Sequence, residues 1–281
     1  MKRLLKIGGT VLGLSLILAG CGNADEKTKT SKWDDIKEKN ELVIGIDDTF
    51  VPMGFRDEKD NIVGFDIDLA KEVTKELGIK AKFQPIDWTL KETELDNGTI
   101  DVIWNGYTVT DARKEKVDFT MNYLSNEQVL VSLSDSGIKT FKDMKDKVIG
   151  AQEGSSGADS FEDNPELLKD FVKDQEAILY PTFTEAFLDL EAKRIDGLLI
   201  DKVFAEYYIS QQKDSKKFAV APSEFENENF AIGVKKGETE LVKQLNDALQ
   251  KAYKDGSSIK VSEKWFGENR VLTEWKDDNC L

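Results

Sequence analysis

Thr99-Ile100-Asp101-Val102-Ile103-Trp104-Asn105-Gly106 has a counterpart later in the chain, Arg194-Ile195-Asp196-Gly197-Leu198-Leu199-Ile200-Asp201. In each, Ile-Asp leads into a short apolar run of the kind that forms a buried strand, and the run ends on polar residues. What precedes each copy also matches. Upstream of the first, residues 41–47 read as a strand running into a polar turn. A hairpin follows, pairing 54–56 with 61–64 around the charged tip 57–60. Asp66 is placed to cap a helix whose apolar positions are Ile67, Leu69, Ala70, Val73 and Leu77, with Gly78 as its stop. Residues 80–86 form the next strand and 90–96 the next helix.

Upstream of the second copy lie a strand at 147–150, a small-residue turn at 153–157, a helical segment, a strand at 176–180 and a helix at 184–193. Strands alternating with helices predict mainly parallel sheets covered on both faces. The fold class is α/β, with two Rossmann-like lobes. Extended crossovers are expected at 127–132 and at 218–222, and two crossovers between two lobes make a hinged cleft. The tail holds a strand at 230–234, a helix at 238–254 and an amphipathic piece carrying Ile259, Val261, Trp265 and Phe266. The boundaries expected are 40–128 for the first part of lobe 1, 129–219 for lobe 2, 220–270 for the return to lobe 1, and 271–281 for a tail.

Polar residues at the carboxyl ends of strands are where open α/β sheets hold ligands. After Ile103 come Asn105, Gly106, Thr108, Thr110 and Arg113. The Arg113 guanidinium is a planar fork able to hold a carboxylate through two parallel hydrogen bonds. Asp201 ends the second copy; by itself it would serve equally well as a cap for the helix that begins at Lys202.

The amino terminus has a separate purpose. Lys2, Arg3 and Lys6 precede an apolar stretch from Ile7 to Ala19, which is short for a membrane span and has signal-peptide proportions. It ends Leu18-Ala19-Gly20-Cys21, which resembles the lipobox of bacterial lipoproteins. That likeness implies cleavage after residue 20 and a diacylglycerol on Cys21, tethering the chain to the outside of the cell membrane. Residues 21–39 are then a polar, flexible leash. With Cys21 lipidated, Cys280 has no partner for an internal disulfide. The formal charge of the whole chain is −15, and losing Lys2, Arg3 and Lys6 makes it −18. So anionic a surface argues against nucleic acid and against electrostatic membrane binding. The chain has no His and no cluster with metal-ligand spacing, so neither a metal nor a cofactor is called for.

From residue 42 to 265 the chain resembles the polar amino acid-binding proteins of bacterial ABC importers, solute-binding protein family 3, with a type II periplasmic binding protein-like fold. The resemblance rests on Ile44-Gly45-Ile46-Asp47, Pro52-Met53-Gly54-Phe55, Gly64-Phe65-Asp66-Ile67-Asp68-Leu69-Ala70, Gly106-Tyr107-Thr108-Val109-Thr110-Asp111-Ala112-Arg113 and Val117-Asp118-Phe119-Thr120. In the second lobe it rests on Gly154-Ser155-Ser156 and Asp196-Gly197-Leu198-Leu199-Ile200-Asp201. The order and spacing of these pieces are more specific than any one of them.

The resemblance implies a ligand held between the lobes and passed to a membrane permease by a monomer. Arg113 would grip an α-carboxylate, helped by the Thr108 amide and by Ser156 at a helix start. Asp201 would take the α-ammonium with the Gly106 carbonyl and the Thr108 hydroxyl. Phe50 and Trp88 would flank the side chain, whose identity would be read by Asp47, Trp88, Asn105 and Glu153. Asp47 with Glu153 favours a basic, glutamine-like or cystine-like ligand, and no second Arg or Lys stands at these positions to favour an acidic one. The chain departs from familiar relatives at Trp104-Asn105, where small residues are common, and at Tyr107; the Asn is expected to add an amide to the pocket and the bulk to alter the side chain it accommodates. Two other functions share the fold: a sensor lipoprotein without a transporter, and a cyclohexadienyl dehydratase-like enzyme, whose acid–base work would fall on carboxylates such as Glu153.

Overall fold

The computed structural model describes residues 31–272. The leader, Cys21, most of the leash and Cys280 lie outside the described residues. Helix α1 (Lys32–Lys39) is followed by β1 (Glu41–Ile46), β2 (Thr49–Phe50), β3 (Gly54–Arg56), β4 (Ile62–Val63), α2 (Phe65–Glu76), β5 (Lys80–Pro85), α3 (Lys91–Asn97) and β6 (Val102–Ile103). The chain continues through α4 (Asp111–Lys114), β7 (Val117–Phe119), β8 (Leu124–Asn126), β9 (Gln128–Leu133), β10 (Ile149–Gln152), α5 (Ser156–Asp163), β11 (Ala177–Tyr180), α6 (Phe183–Glu191), β12 (Gly197–Asp201) and α7 (Lys202–Ser210). It ends with β13 (Phe218–Ala221), β14 (Glu228–Phe230), β15 (Gly233–Lys235), α8 (Thr239–Lys254) and α9 (Ser257–Phe266).

Two five-stranded sheets result, ordered β5-β1-β6-β15-β7 and β11-β10-β12-β9-β13. In each, the second strand pairs parallel with the first and third, and the last two join antiparallel. The sequence echo occupies the same place in both. Asp101 accepts a hydrogen bond from the Val43 N–H at 2.8 Å, and Asp196 accepts one from the Val148 N–H at 2.8 Å. The neighbouring isoleucines match as well: a Cβ on Gly45 would lie 2.5 Å from Ile100 Cδ1, and one on Gly150 would lie 2.7 Å from Ile195 Cδ1. Ile-Asp is therefore a strand lock. The carboxylate pins the start of the neighbouring strand, and the isoleucine fills the space that its glycine leaves.

The sheets are linked by β8 running out and β14 running back, paired antiparallel with Asn126 opposite Glu228. The return crossing differs from its expected place at 218–222. Phe218–Ala221 is instead the edge strand of the second sheet, because Val220 and Ala221 find partners in Val131 and Leu130 of β9. Residues 32–39 also depart from the flexible leash expected there. Ser31 caps α1 by accepting from the Asp34 N–H, and Trp33 and Ile36 are buried, in contact with the core that α2 and α8 help to build. Apolar burial of two large side chains outweighs the polar composition of this segment. Asp66 is not a cap either: it lies in the first turn of α2, fully buried, with Gly64 at the cap position.

Candidate functional site

Nine of the ten candidate residues meet in one cavity between the sheets. Asp47, Phe50, Trp88, Asn105, Gly106, Thr108 and Arg113 line it from the first sheet, and Ser156 and Asp201 from the second. Strand direction brings them together, since Asp47, Asn105, Gln152 and Asp201 all stand at or just past the carboxyl ends of parallel strands. The enclosed space is about 10 Å³, room for one water molecule at most. The two sides are closed on one another, and the polar groups that face the cavity now bond across it.

At one end, Thr110 caps the short helix α4 by accepting from the Arg113 N–H, and this aims the Arg113 side chain back into the cleft. Its guanidinium lies 4.7 Å over the Tyr107 ring. It donates to the Thr108 carbonyl at 3.0 Å and, across the cleft, to the Gly154 carbonyl at 3.1 Å. Ser155 caps α5, which leaves Ser156 as its first residue with the hydroxyl 3.0 Å from that of Thr108. Hydroxyls and a helix amino terminus beside a buried guanidinium form a seat for a carboxylate.

Asp201, 4% exposed, does not cap α7 with its side chain. Its Oδ1 accepts instead from Asn126 Nδ2 at 2.6 Å and Gln128 Nε2 at 3.0 Å. Burial, and then the charge of neighbouring Glu228, hold its carboxyl well above the usual carboxylate range. A buried carboxylate held only by neutral amides is a receptor for a cation.

The far end is built on Asp47. Its Oδ1 accepts from the backbone and hydroxyl of Thr49, and its Oδ2 from Gln152 Nε2 at 2.8 Å, across the cleft. Burial raises the Asp47 carboxyl above its ordinary value, and the Thr49 and Gln152 bonds oppose that rise. Asn105 accepts from the Asp47 N–H at 2.8 Å. Phe50 crosses to pack against Phe183 and Phe204 of the second lobe, with centroids 5.9 and 5.6 Å away. Gly106 has φ +59°, and a Cβ there would lie 2.7 Å from the Phe50 ring, so no other residue fits.

Glu153 is the exception. It is exposed, and Gln152 takes the inward place, because successive strand residues point to opposite faces and Gln152 is the last of β10. Trp104 and Tyr107 do not shape the cavity as expected. Both are fully buried behind it, Tyr107 stacked on Phe119 and donating to Glu92 at 2.9 Å. A second cation does stand near Arg113: buried Lys91 donates to the Trp88 and Gly154 carbonyls, both at 3.0 Å. Burial and the Arg113 charge push its ammonium down to about 8. Local pattern marks none of Lys91, Asn126, Gln128 or Glu228, whereas the alternation of β10 singles out Gln152.

Behind the cavity, Asp66 accepts from the Gly106 N–H at 2.7 Å and from the Tyr123 hydroxyl at 3.0 Å. Full burial pushes its carboxyl up to about 7. Asp66 thereby anchors the backbone at Gly106, which borders the cavity.

Among the described residues no group of three or more His, Cys, Asp or Glu side chains is placed to hold a metal, and no helix is long and apolar enough to cross a membrane.

The family model for bacterial extracellular solute-binding proteins, family 3, matches residues 42–268. The L-cystine-binding protein TcyJ of Escherichia coli (strain K12) is 32% identical over 234 residues, covering 83% of this chain and 85% of TcyJ. The arginine-binding extracellular protein ArtP of Bacillus subtilis (strain 168) is 29% identical, covering 90% and 94%. Among solved structures, an ABC uptake transporter substrate-binding protein from Streptococcus pneumoniae with bound histidine is 50% identical. It superposes with a TM-score of 0.86 over 88% of this chain and all of the other. The architecture is that of type II periplasmic binding proteins. By the match over residues 42–268 and by the geometry of its two sheets, the chain belongs to the bacterial extracellular solute-binding proteins, family 3.

Proposed function

We propose that this chain is the extracytoplasmic amino acid-binding component of an ABC uptake transporter, a monomer anchored to the cell membrane through Cys21. One lobe spans residues 40–128 and the return from 222 to 270, and the other lies between them. The ligand sits in the interlobe cavity. Arg113, the Thr108 amide and the start of α5 at Ser156 take its α-carboxylate. Asp201, the Gly106 carbonyl and the Thr108 hydroxyl take its α-ammonium. Phe50 and Trp88 flank the side chain, and Asp47, Asn105 and Gln152 read its polar end. The arrangement of those acceptors supports a polar or basic amino acid, and the histidine-, arginine- and cystine-binding relatives support the same class.

One observation carries the reading. Arg113 and Asp201, from different lobes, open onto a single cavity, each buried and bonded only to neutral groups or, for Arg113, to an exposed Asp159 carboxylate 3.9 Å away. A zwitterion supplies both with counter-charges, offsetting the cost of burying them. The mechanism is capture and closure: the lobes part about the β8–β14 hinge, ligand bridges them, and the closed form is presented to the permease. Ligand favours closure only to the extent that it binds the closed form better.

A thermal-shift panel of the common amino acids with cystine, ornithine and citrulline tests this. A rise with one or a few polar or basic amino acids is expected, and Arg113→Ala should weaken that binding by at least ~30-fold, the scale for truncating a buried charge partner. A flat panel with ligand-stripped protein sinks the proposal.

A further inference from the structure

Behind Asp201 the hinge brings in a second carboxylate. Glu228, on the returning strand β14, turns one oxygen onto two of the hydroxyls that line the cavity. Its Oε2 accepts from Gln128 Nε2 at 3.0 Å, Asn126 Nδ2 at 3.1 Å, Thr108 Oγ1 at 3.2 Å and Ser156 Oγ at 3.2 Å. The last two are the hydroxyls already assigned to the ligand, one from each lobe.

Counting hydrogens shows what this cluster wants. Asn126, Gln128, Thr108 and Ser156 make eight contacts among themselves and with the two carboxylates. Their side chains carry six polar hydrogens, two on each amide and one on each hydroxyl. Contacts therefore outnumber donors. In addition, the amide oxygens of Asn126 and Gln128 are buried without a hydrogen-bond partner. Among the described residues neither Asp201 nor Glu228 has a salt-bridge partner. The nearest cations are engaged elsewhere: Arg113 and Lys91 on backbone carbonyls, and Lys202 on Glu127. The site is rich in acceptors and negative charge, and short of donors and positive charge. A primary ammonium, with three donors and one positive charge, corrects both.

We propose that Glu228 is a ligand-contact residue that joins Asp201 in a two-carboxylate seat for the α-ammonium, and so selects ligands with a free, charged amino group. The proposal rests on the amino acid-receptor reading above. Burial and, after it, the negative charge of neighbouring Glu228 raise the Asp201 carboxyl. A proton and the ligand ammonium therefore compete for Asp201.

The test is calorimetric titration of the purified protein and its Glu228→Gln variant at pH 8 and pH 6. The probes are L-arginine and L-glutamine, whose ionisable groups do not titrate in that range. For whichever probe binds, wild type should lose affinity on acidification. Glu228→Gln should bind at least ~10-fold more weakly at pH 8, the scale of a lost charge-assisted contact. It should also lose less on going to pH 6, because Asp201 without its like-charged neighbour ionises more easily. Unchanged affinity in the variant overturns the proposal. So does an equal fold-loss at both pH values, which marks a role in hinge packing alone. A wild type that binds neither probe nor any amino acid of the thermal-shift panel sinks the receptor reading itself, before the variant enters.

Discussion

At the scale of single residues, this protein places its ionisable groups where burial works against them and compensates with specific bonds. Asp66 is the clearest case. Its carboxyl is raised to about 7 by full burial while it holds the Gly106 amide and the Tyr123 hydroxyl. In the unfolded chain it ionises near ~4. The folded state therefore binds the proton more tightly, and this contribution to stability is largest below about 4 and is lost as pH rises to about 7. Asp66→Asn should flatten that part of the melting temperature–pH profile. It should also weaken ligand binding, since the Gly106 backbone that it anchors borders the cavity. A profile identical to wild type between pH 4 and 7 would show that Asp66 does not titrate there. Of this residue the sequence shows only an Asp near a helix start, where capping is the usual role. Its actual partners stand after β6 and just before β8 and cannot be read locally.

At the scale of elements, the Ile-Asp strand lock is the feature that sequence discloses best. Each aspartate satisfies a backbone donor near the start of a neighbouring strand, Val43 within β1 and Val148 just before β10, and each isoleucine covers a glycine. Asp196→Ala leaves the Val148 N–H unpaired and should cost about 1–3 kcal/mol, the penalty for orphaning a partly buried donor. Asp101 also pairs with Lys32 of α1 at 2.5 Å, so Asp101→Ala should cost at least as much and should loosen α1. The two losses should add, because the sites lie in different sheets with no shared partner. Chemical denaturation of the single and double variants checks both. A strong departure from additivity would mean that the two sites interact energetically. The return crossing was less legible. Residues 218–222 have the look of a linker, but β9 offers a free edge, and that edge converts them into β13.

At the scale of the whole molecule, closure is held by bonds that cross between the lobes: Gln152 to Asp47, Arg113 and Lys91 to the Gly154 carbonyl, and Phe50 against Phe183 and Phe204. Lys91 makes no assigned ligand contact. Lys91→Met should lower ligand affinity by ~3–10-fold through the closed population alone, the scale of the net contribution of one hydrogen bond. Interlobe distance measured by fluorescence transfer, with one label on each lobe, should show a smaller closed fraction at any given ligand concentration. An unchanged closed fraction would remove Lys91 from the closure mechanism.

The amino-acid sequence by itself determined the two α/β units, their repeated strand lock, the order of their elements and most of the cleft. These depend on alternation, helical periodicity and turn chemistry, which act over a few residues. Nine of ten candidate side chains reach the cavity because parallel strands put their carboxyl ends on one edge, wherever they lie in the chain. Tertiary structure alone decided that Trp33 and Ile36 dock α1 and that Asp66 supports Gly106. It alone brings Glu228 beside Asp201. Each of these rests on contacts between segments distant in sequence, and no local pattern records which distant partner a side chain will meet.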